Sequence, residues 1–188
     1  MNADGTNQTR LTNDPTTDLS PSYSPDGSKI LFRSLRAENA DIWTMDADGK
    51  NPVRLTEHEA DDQFPVWSPD GTKIAFQTNR GSDGNRFSIW VMNADGSDQR
   101  QVTDTDGGAT APTWSPDGTQ LAFQTNRGGA TKLFATDLNG SGLSQITRGS
   151  GYNDYVADWL KPPSTVAIAT TTTTVPATTT TIRRGTRR

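Results

Sequence analysis

The tetrapeptide Ser-Pro-Asp-Gly occurs three times, at 24–27, 68–71 and 115–118, at offsets of 44 and 47 residues. Behind each copy lies a short β-rich run: Lys29-Ile-Leu-Phe-Arg-Ser34, Lys73-Ile-Ala-Phe-Gln-Thr78 and Gln120-Leu-Ala-Phe-Gln-Thr125. A second run follows in each case, Asp41-Ile-Trp-Thr-Met-Asp46, Ser88-Ile-Trp-Val-Met-Asn93 and Lys132-Leu-Phe-Ala-Thr-Asp137. Each unit closes with an Asp-Gly or Asn-Gly turn (Gly49, Gly96, Gly140) and a short strand ending Leu55-Thr56, Val102-Thr103 or Ile146-Thr147. Runs of five or six residues between such turns are too short for helices, and four strands per 40–50-residue unit is the pattern of β-propeller blades. Pro presets φ for the second turn position, Gly accepts the positive φ of a tight hairpin, and Pro has no N–H for a ladder, so it belongs at a strand end.

The expected fold is therefore all-β: a propeller of four-stranded antiparallel blades, with three complete blades at about 21–56, 65–103 and 112–147. Two partial units flank them. Residues 1–12 repeat 45–56 and 92–103 and read as the last turn and outer strand of an earlier blade, while 152–160, with Tyr155-Val-Ala-Asp-Trp159, reads as the first strand of a later one. Three blades leave sheet edges bare that a closed ring removes. The expectation is the C-terminal part of a larger propeller started at an internal methionine; the competing one is a chain that closes by self-association. Residues 161–188 form a Thr/Pro-rich, low-complexity segment with an Arg-rich end and no hydrophobic period, expected to be an extended, disordered stalk or tail.

The combined unit, Trp-Ser-Pro-Asp-Gly, then Lys-Ile-Ala-Phe, then Ile-Trp-Val-Met-Asn-Ala-Asp-Gly, then Leu-Thr or Val-Thr, resembles the PD40 repeat, also called the WD40-like or TolB-type propeller repeat. The likeness covers about 1–160. It implies a scaffold fold and, from TolB-type members of the bacterial envelope, an extracytoplasmic (periplasmic, cell-envelope or secreted) location, although no signal peptide is visible in this chain. It does not select a function, because the same repeats occur in propellers of tricorn-like and prolyl-oligopeptidase-like peptidases. A separate N-terminal α/β domain of TolB has no counterpart here.

Composition narrows the chemistry. There is no Cys and a single His, so thiol chemistry and a multi-histidine zinc site are excluded, and no Gly-x-Ser-x-Gly elbow or phosphate loop occurs. The chain is expected not to be an enzyme. His58-Glu59 lacks the second His of a zincin motif, and the recurring Trp and Phe positions read as packing between blades. No apolar run is long enough to cross a bilayer as a helix. Residues 161–188 carry five basic residues and no acid, which leaves 1–160 at a net charge of −9, a poor nucleic-acid binder.

In an up-and-down blade with strands a to d, the a–b and c–d turns share one face, and the variable b–c and d–a connections share the other. The d–a connections (13–20, 57–64, 104–111, 148–155) hold nine acids, among them Glu57, Glu59, Asp61, Asp62, Asp104 and Asp106, against Arg148 alone. Such loops either stay solvated, attract a basic protein or peptide segment, or offer carboxylates to Ca2+, with Asp61, Asp62, Asp104 and Asp106 as the candidate ligands. No other cofactor is expected. The Asp-Ala-Asp-Gly turns lack the ligands of a calcium loop. Arg80 and Arg127 open equivalent Asn-Arg-Gly connections, either bracing a turn or facing a ligand carboxylate. The leading function is a non-catalytic scaffold for a protein or peptide, with a peptidase propeller or an envelope-polysaccharide binder as alternatives.

Overall fold

The computed structural model describes residues 1, 3–82, 84, 86–147 and 154. Among the described residues, twelve strands form three four-stranded antiparallel sheets, each a meander in sequence order. The first holds β1 (Asp18–Tyr23), β2 (Lys29–Ala37), β3 (Asn39–Asp46) and β4 (Val53–Arg54). The second holds β5 (Asp62–Trp67), β6 (Lys73–Thr78), β7 (Ser88–Asn93) and β8 (Arg100–Gln101). The third holds β9 (Thr110–Trp114), β10 (Gln120–Thr125), β11 (Lys132–Asp137) and β12 (Ser144–Gln145). The fold is all-β, as the repeat implies. Among the described residues no helix is long and apolar enough to cross a membrane. The expected strand at 152–160 and the tail at 161–188 lie outside the described residues.

The first strand of each sheet starts before the proline that the repeat suggests as its beginning. Ser20, Phe64 and Ala111, each followed by Pro, sit at φ of 52°, 50° and 50°. The ladder shifts register at the same places, between Leu19 and Ser22, between Gln63 and Val66, and opposite Ala122 to Gln124. One bulge per blade therefore accommodates a proline that cannot donate, and pairing resumes upstream at Leu19, Gln63 and Thr110.

The Ser and Asp of Ser-Pro-Asp-Gly matter as much as its Pro and Gly. Ser24 Oγ donates to Asp26 and accepts from Lys29 N at 2.9 Å, Gly27 N donates to Ser24 O, and Asp26 accepts from Ser28 N at 3.0 Å. Ser68, Asp70, Thr72 and Lys73 repeat the set, as do Ser115, Asp117, Thr119 and Gln120. Each turn is closed by side chains that take over backbone donors the ladder leaves unpaired. Their carboxylates are held low, Asp26 and Asp70 at about 2, chiefly by the Ser hydroxyl and then by the backbone N–H two residues on.

Sheets stack through alternating side chains of the inner strands. Leu31, Ile42 and Leu55 of the first sheet pack against Ile74, Phe76 and Met92 of the second, with Trp67 and Trp90 alongside. Ala75, Ile89, Val91 and Val102 of the second pack against Trp114, Leu121 and Phe123 of the third. The c–d turns seal these interfaces. A Cβ on Gly96 would stand 2.8 Å from the Leu55 carbonyl oxygen, and one on Gly140 would stand 2.5 Å from that of Val102. Gly49 meets the Leu11 carbonyl in the same way, at 2.5 Å. The segment before β1 thus follows the path of an earlier outer strand, though without a ladder.

Candidate binding site

The variable connections carry a repeated brace. Arg80, two residues beyond the end of β6, donates from Nη2 to Asp62 Oδ2 at 2.5 Å and from Nη1 to Gln99 Oε1 at 2.6 Å. Its guanidinium lies over the rings of Phe76 and Trp90, at 5.7 and 5.1 Å from their centroids. Both partners are buried, Asp62 fully. Arg36 does the same in the first sheet, reaching Asp18 at 2.7 Å over Phe32 and Trp43. The arginine ties the start of strand a to the end of strand b and plugs the blade against its own aromatics. Asp62 and Arg80 are therefore corrected as members of an open binding face: each is consumed by the other inside the protein.

A second device closes the start of strand c. The hydroxyls of Thr56, Thr103 and Thr147 accept the backbone N–H of Ile42, Ile89 and Leu133 at 2.9–3.1 Å. Beside Thr56, the fully buried Asp41 accepts from Arg54 Nη2 at 2.7 Å. Burial pushes the Asp41 carboxyl above the usual carboxylate range, and Arg54 opposes that shift.

The third sheet breaks the pattern. Ala109 stands where Asp18 and Asp62 stand in the other sheets, three residues before the strand proline, so Arg127 finds no acid at the start of its own first strand. It donates instead to Asp104 and approaches Asp106 at 3.9 Å, both in the β8–β9 connection, and remains partly exposed. Asp61 spends its carboxylate on Ala40 N at 3.1 Å, and its own N–H donates to Asn79 Oδ1, which straps the first sheet to the second. Glu57 and Glu59 are exposed. His58, between them, accepts from Ala60 N through Nδ1 at 2.9 Å and lies at the surface.

The acidic loop count is thus largely matched by basic residues. Asp18, Asp62, Asp104 and Asp154 pair with Arg36, Arg80, Arg127 and Lys132. These bases sit at the ends of the b–c connections, which share the face with the d–a loops. No three His, Asp or Glu residues among the described ones converge as a metal site. Asp61, Asp62, Asp104 and Asp106 do not combine into a calcium donor set, since three of them already face a backbone N–H or an arginine.

What the face offers is a cleft that sequence reasoning did not find. It opens between the second and third sheets with a volume of about 760 Å³, walled by Arg86 and Phe87, Gly107 and Gly108, and Asn126 and Arg127. Phe87 is half-buried and anchored by its carbonyl, which accepts Ala109 N at 2.7 Å. Arg86 is exposed and makes no ion pair among the described residues. The walls hold left-handed backbone at Gly107, Gly108, Gly128 and Gly129, where the absence of side chains leaves main-chain groups within reach. An aromatic face, two guanidiniums, side-chain amides and bare backbone together suit an extended polar segment. The repeated Asn-Arg-Gly was the one available signal, and only its Arg127 copy lines the cleft.

The family model described as the TolB beta propeller domain, PD40, matches residues 1–83 and 65–181. A protein assigned as TolB from Agrobacterium tumefaciens is similar at 28% identity with a TM-score of 0.61, over 72% of this chain and 50% of that one. TolB from Acinetobacter baumannii shares the fold at 23% identity and a TM-score of 0.59, over 73% and 34% of the two chains. An oligogalacturonate lyase from Vibrio parahaemolyticus shares it at 16% identity and a TM-score of 0.58, over 73% and 43%. The chain spans about half the length of the Agrobacterium protein and less of the other two. No curated protein matches it.

Proposed function

The chain belongs to the PD40 family of TolB β-propellers, and from that premise we propose that it is a non-catalytic binding propeller whose variable-loop face holds an extended segment of a partner protein. The observation that carries this reading is the cleft of about 760 Å³ at the second-to-third sheet boundary. There the repeat departs from its own rule: Ala109 replaces the bracing acid and Arg127 turns outward to the loop. The partner segment lays an apolar side chain on Phe87 and a carboxylate on Arg86, with main-chain hydrogen bonds to Gln124 and Asn126 completing the contact. The basic-segment reading of the acidic loops retreats to Glu57 and Glu59, whose charges lack an arginine partner among the described residues. Against catalysis stand the absence of Cys and the engagement of the single His, His58, with its own loop. We place the protein outside the cytoplasm, on the strength of its family.

Panning a displayed random-peptide library against the purified chain tests the reading. Enriched peptides carry an apolar residue near an acid, and their binding falls about tenfold or more in Phe87→Ala and in Arg86→Ala. It stays within twofold in the Glu57→Gln/Glu59→Gln double variant. Peptides rich in Lys and Arg that lose binding only in the glutamate variant would overturn the cleft assignment and restore the acidic loops.

A further inference from the structure

The same departure of the third sheet from its repeat opens a second, smaller space beside the cleft. In the second sheet the Arg80 guanidinium lies over Phe76 and Trp90, and Asp62 and Gln99 hold its two ends. In the third sheet Ala109 and Leu143 stand in the places of those two acceptors. Phe134 stands in the place of Trp90, and Thr136 in that of Met92. Arg127 points out to Asp104, and among the described residues no arginine lies over Phe123 or Phe134.

A guanidinium turned outward and two smaller side chains leave a pocket of about 50 Å³ between the second and third sheets. Its lining is apolar. Val102, Ala109 and Phe123 are buried, and Phe134 stacks on Phe123 with ring centroids 6.4 Å apart. The hydroxyls on its wall are already engaged: Thr103 accepts Ile89 N, and Thr136 donates to Ser141 O. Gly108, Thr125 and Arg127 border both the pocket and the larger cleft, so a segment lying in the cleft runs beside it. A cation entering the pocket would find neither the carboxylate nor the amide that Arg80 finds, and an unpaired buried charge is costly. A cavity of about 150 Å³ takes a benzene ring, so one a third that size takes roughly two methyl groups.

We propose that this pocket is a size-selective anchor for one small aliphatic side chain, of valine size, on the partner segment. The inference rests on the cleft reading above and adds the residue class that the segment must carry. Burying two methyl groups is worth about tenfold in affinity.

The experiment takes peptides selected on the full chain and measures them by titration calorimetry. The best of them carries a valine beside its apolar–acid pair, and its alanine-for-valine and phenylalanine-for-valine forms each bind about tenfold more weakly. Ala109→Asp/Leu143→Gln restores both acceptors and draws Arg127 over Phe123 and Phe134, so the valine peptide then binds no better than the alanine one. Phe134→Trp/Thr136→Met installs the pair that the first two sheets already carry and has the same effect, which covers the case of a buried aspartate that prevents folding. Xenon reads the pocket without any peptide: its NMR shift saturates with the native chain and not with either double variant. Equal binding of the three peptides, or a valine preference that survives in the folded variants, overturns the anchor and leaves the cleft standing, as long as binding still falls in Phe87→Ala. A native chain that shows no xenon shift overturns the anchor as well. A library that yields no binder, or only binders indifferent to Phe87, overturns the cleft reading and the anchor with it.

Discussion

Replacing Gly96 by Ala separates two costs that the structure assigns to different origins. Gly96 sits at φ +87°, and a Cβ there would lie 2.8 Å from the Leu55 carbonyl oxygen and 3.2 Å from Leu55 Cα, in the neighbouring sheet. Gly27 sits at φ +73° in the Ser-Pro-Asp-Gly turn, with nothing within 4 Å of its would-be Cβ. Left-handed backbone alone costs an alanine about 1–2 kcal/mol, which is the whole expected penalty of Gly27→Ala. Gly96→Ala adds an overlap between two backbones, each fixed by its own ladder, worth a further ~1–3 kcal/mol as overpacking. For a domain of this size each kcal/mol lowers the unfolding midpoint by roughly 2–4 °C. Thermal unfolding followed by tryptophan fluorescence should therefore place Gly96→Ala several degrees below Gly27→Ala. Equal midpoints would show that the c–d turn does not rest on the preceding sheet, and the stacking described above would be wrong.

Two further outcomes follow from buried and turn carboxylates. Asp62→Asn leaves the Arg80 guanidinium, 9% exposed, without its countercharge, and should cost ~3–5 kcal/mol in urea unfolding; Glu57→Gln, on the surface, should cost nothing measurable. Asp26 and Asp70 are depressed to about 2 in the folded state, so the stability they contribute is complete above the ordinary carboxylate range and is lost as pH falls from about 4 to about 2. Asp70→Asn should flatten that part of a pH titration of stability, and an unchanged acid limb would contradict the turn hydrogen bonds as drawn.

The fold was legible because a propeller blade is specified locally. Ser-Pro-Asp-Gly contains its own Pro, its Gly and the two side chains that close the turn, and the alternating runs behind it set which residues face the adjacent blade. The bulge at Ser20, Phe64 and Ala111 was not legible, since a residue before proline ordinarily stays extended and nothing in the three identities asks for a left-handed φ. The binding face was misjudged for a different reason. Counting the d–a acids alone left out the arginines of the b–c connections, and the pairs Asp18–Arg36 and Asp62–Arg80 form only once register is known. Arg36 had no Asn-Arg-Gly around it, yet its position, two residues beyond Ser34 as Arg80 is beyond Thr78, would have found it. The cleft is built from three loops distant in sequence, with glycines as its main content. Such a site leaves little trace in residue identity.

The claim beneath all of this is that the 44-to-47-residue offset places equivalent sheets around a common axis. Spin labels on Ser28→Cys, Thr72→Cys and Thr119→Cys, three equivalent exposed turn positions in a chain without cysteine, measure it directly by double electron–electron resonance. The 28–72 and 72–119 distances should coincide, and 28–119 should be longer than either but shorter than their sum. Unequal neighbouring distances, or a 28–119 distance equal to the sum, would mean hairpins without a shared axis and would contradict the account.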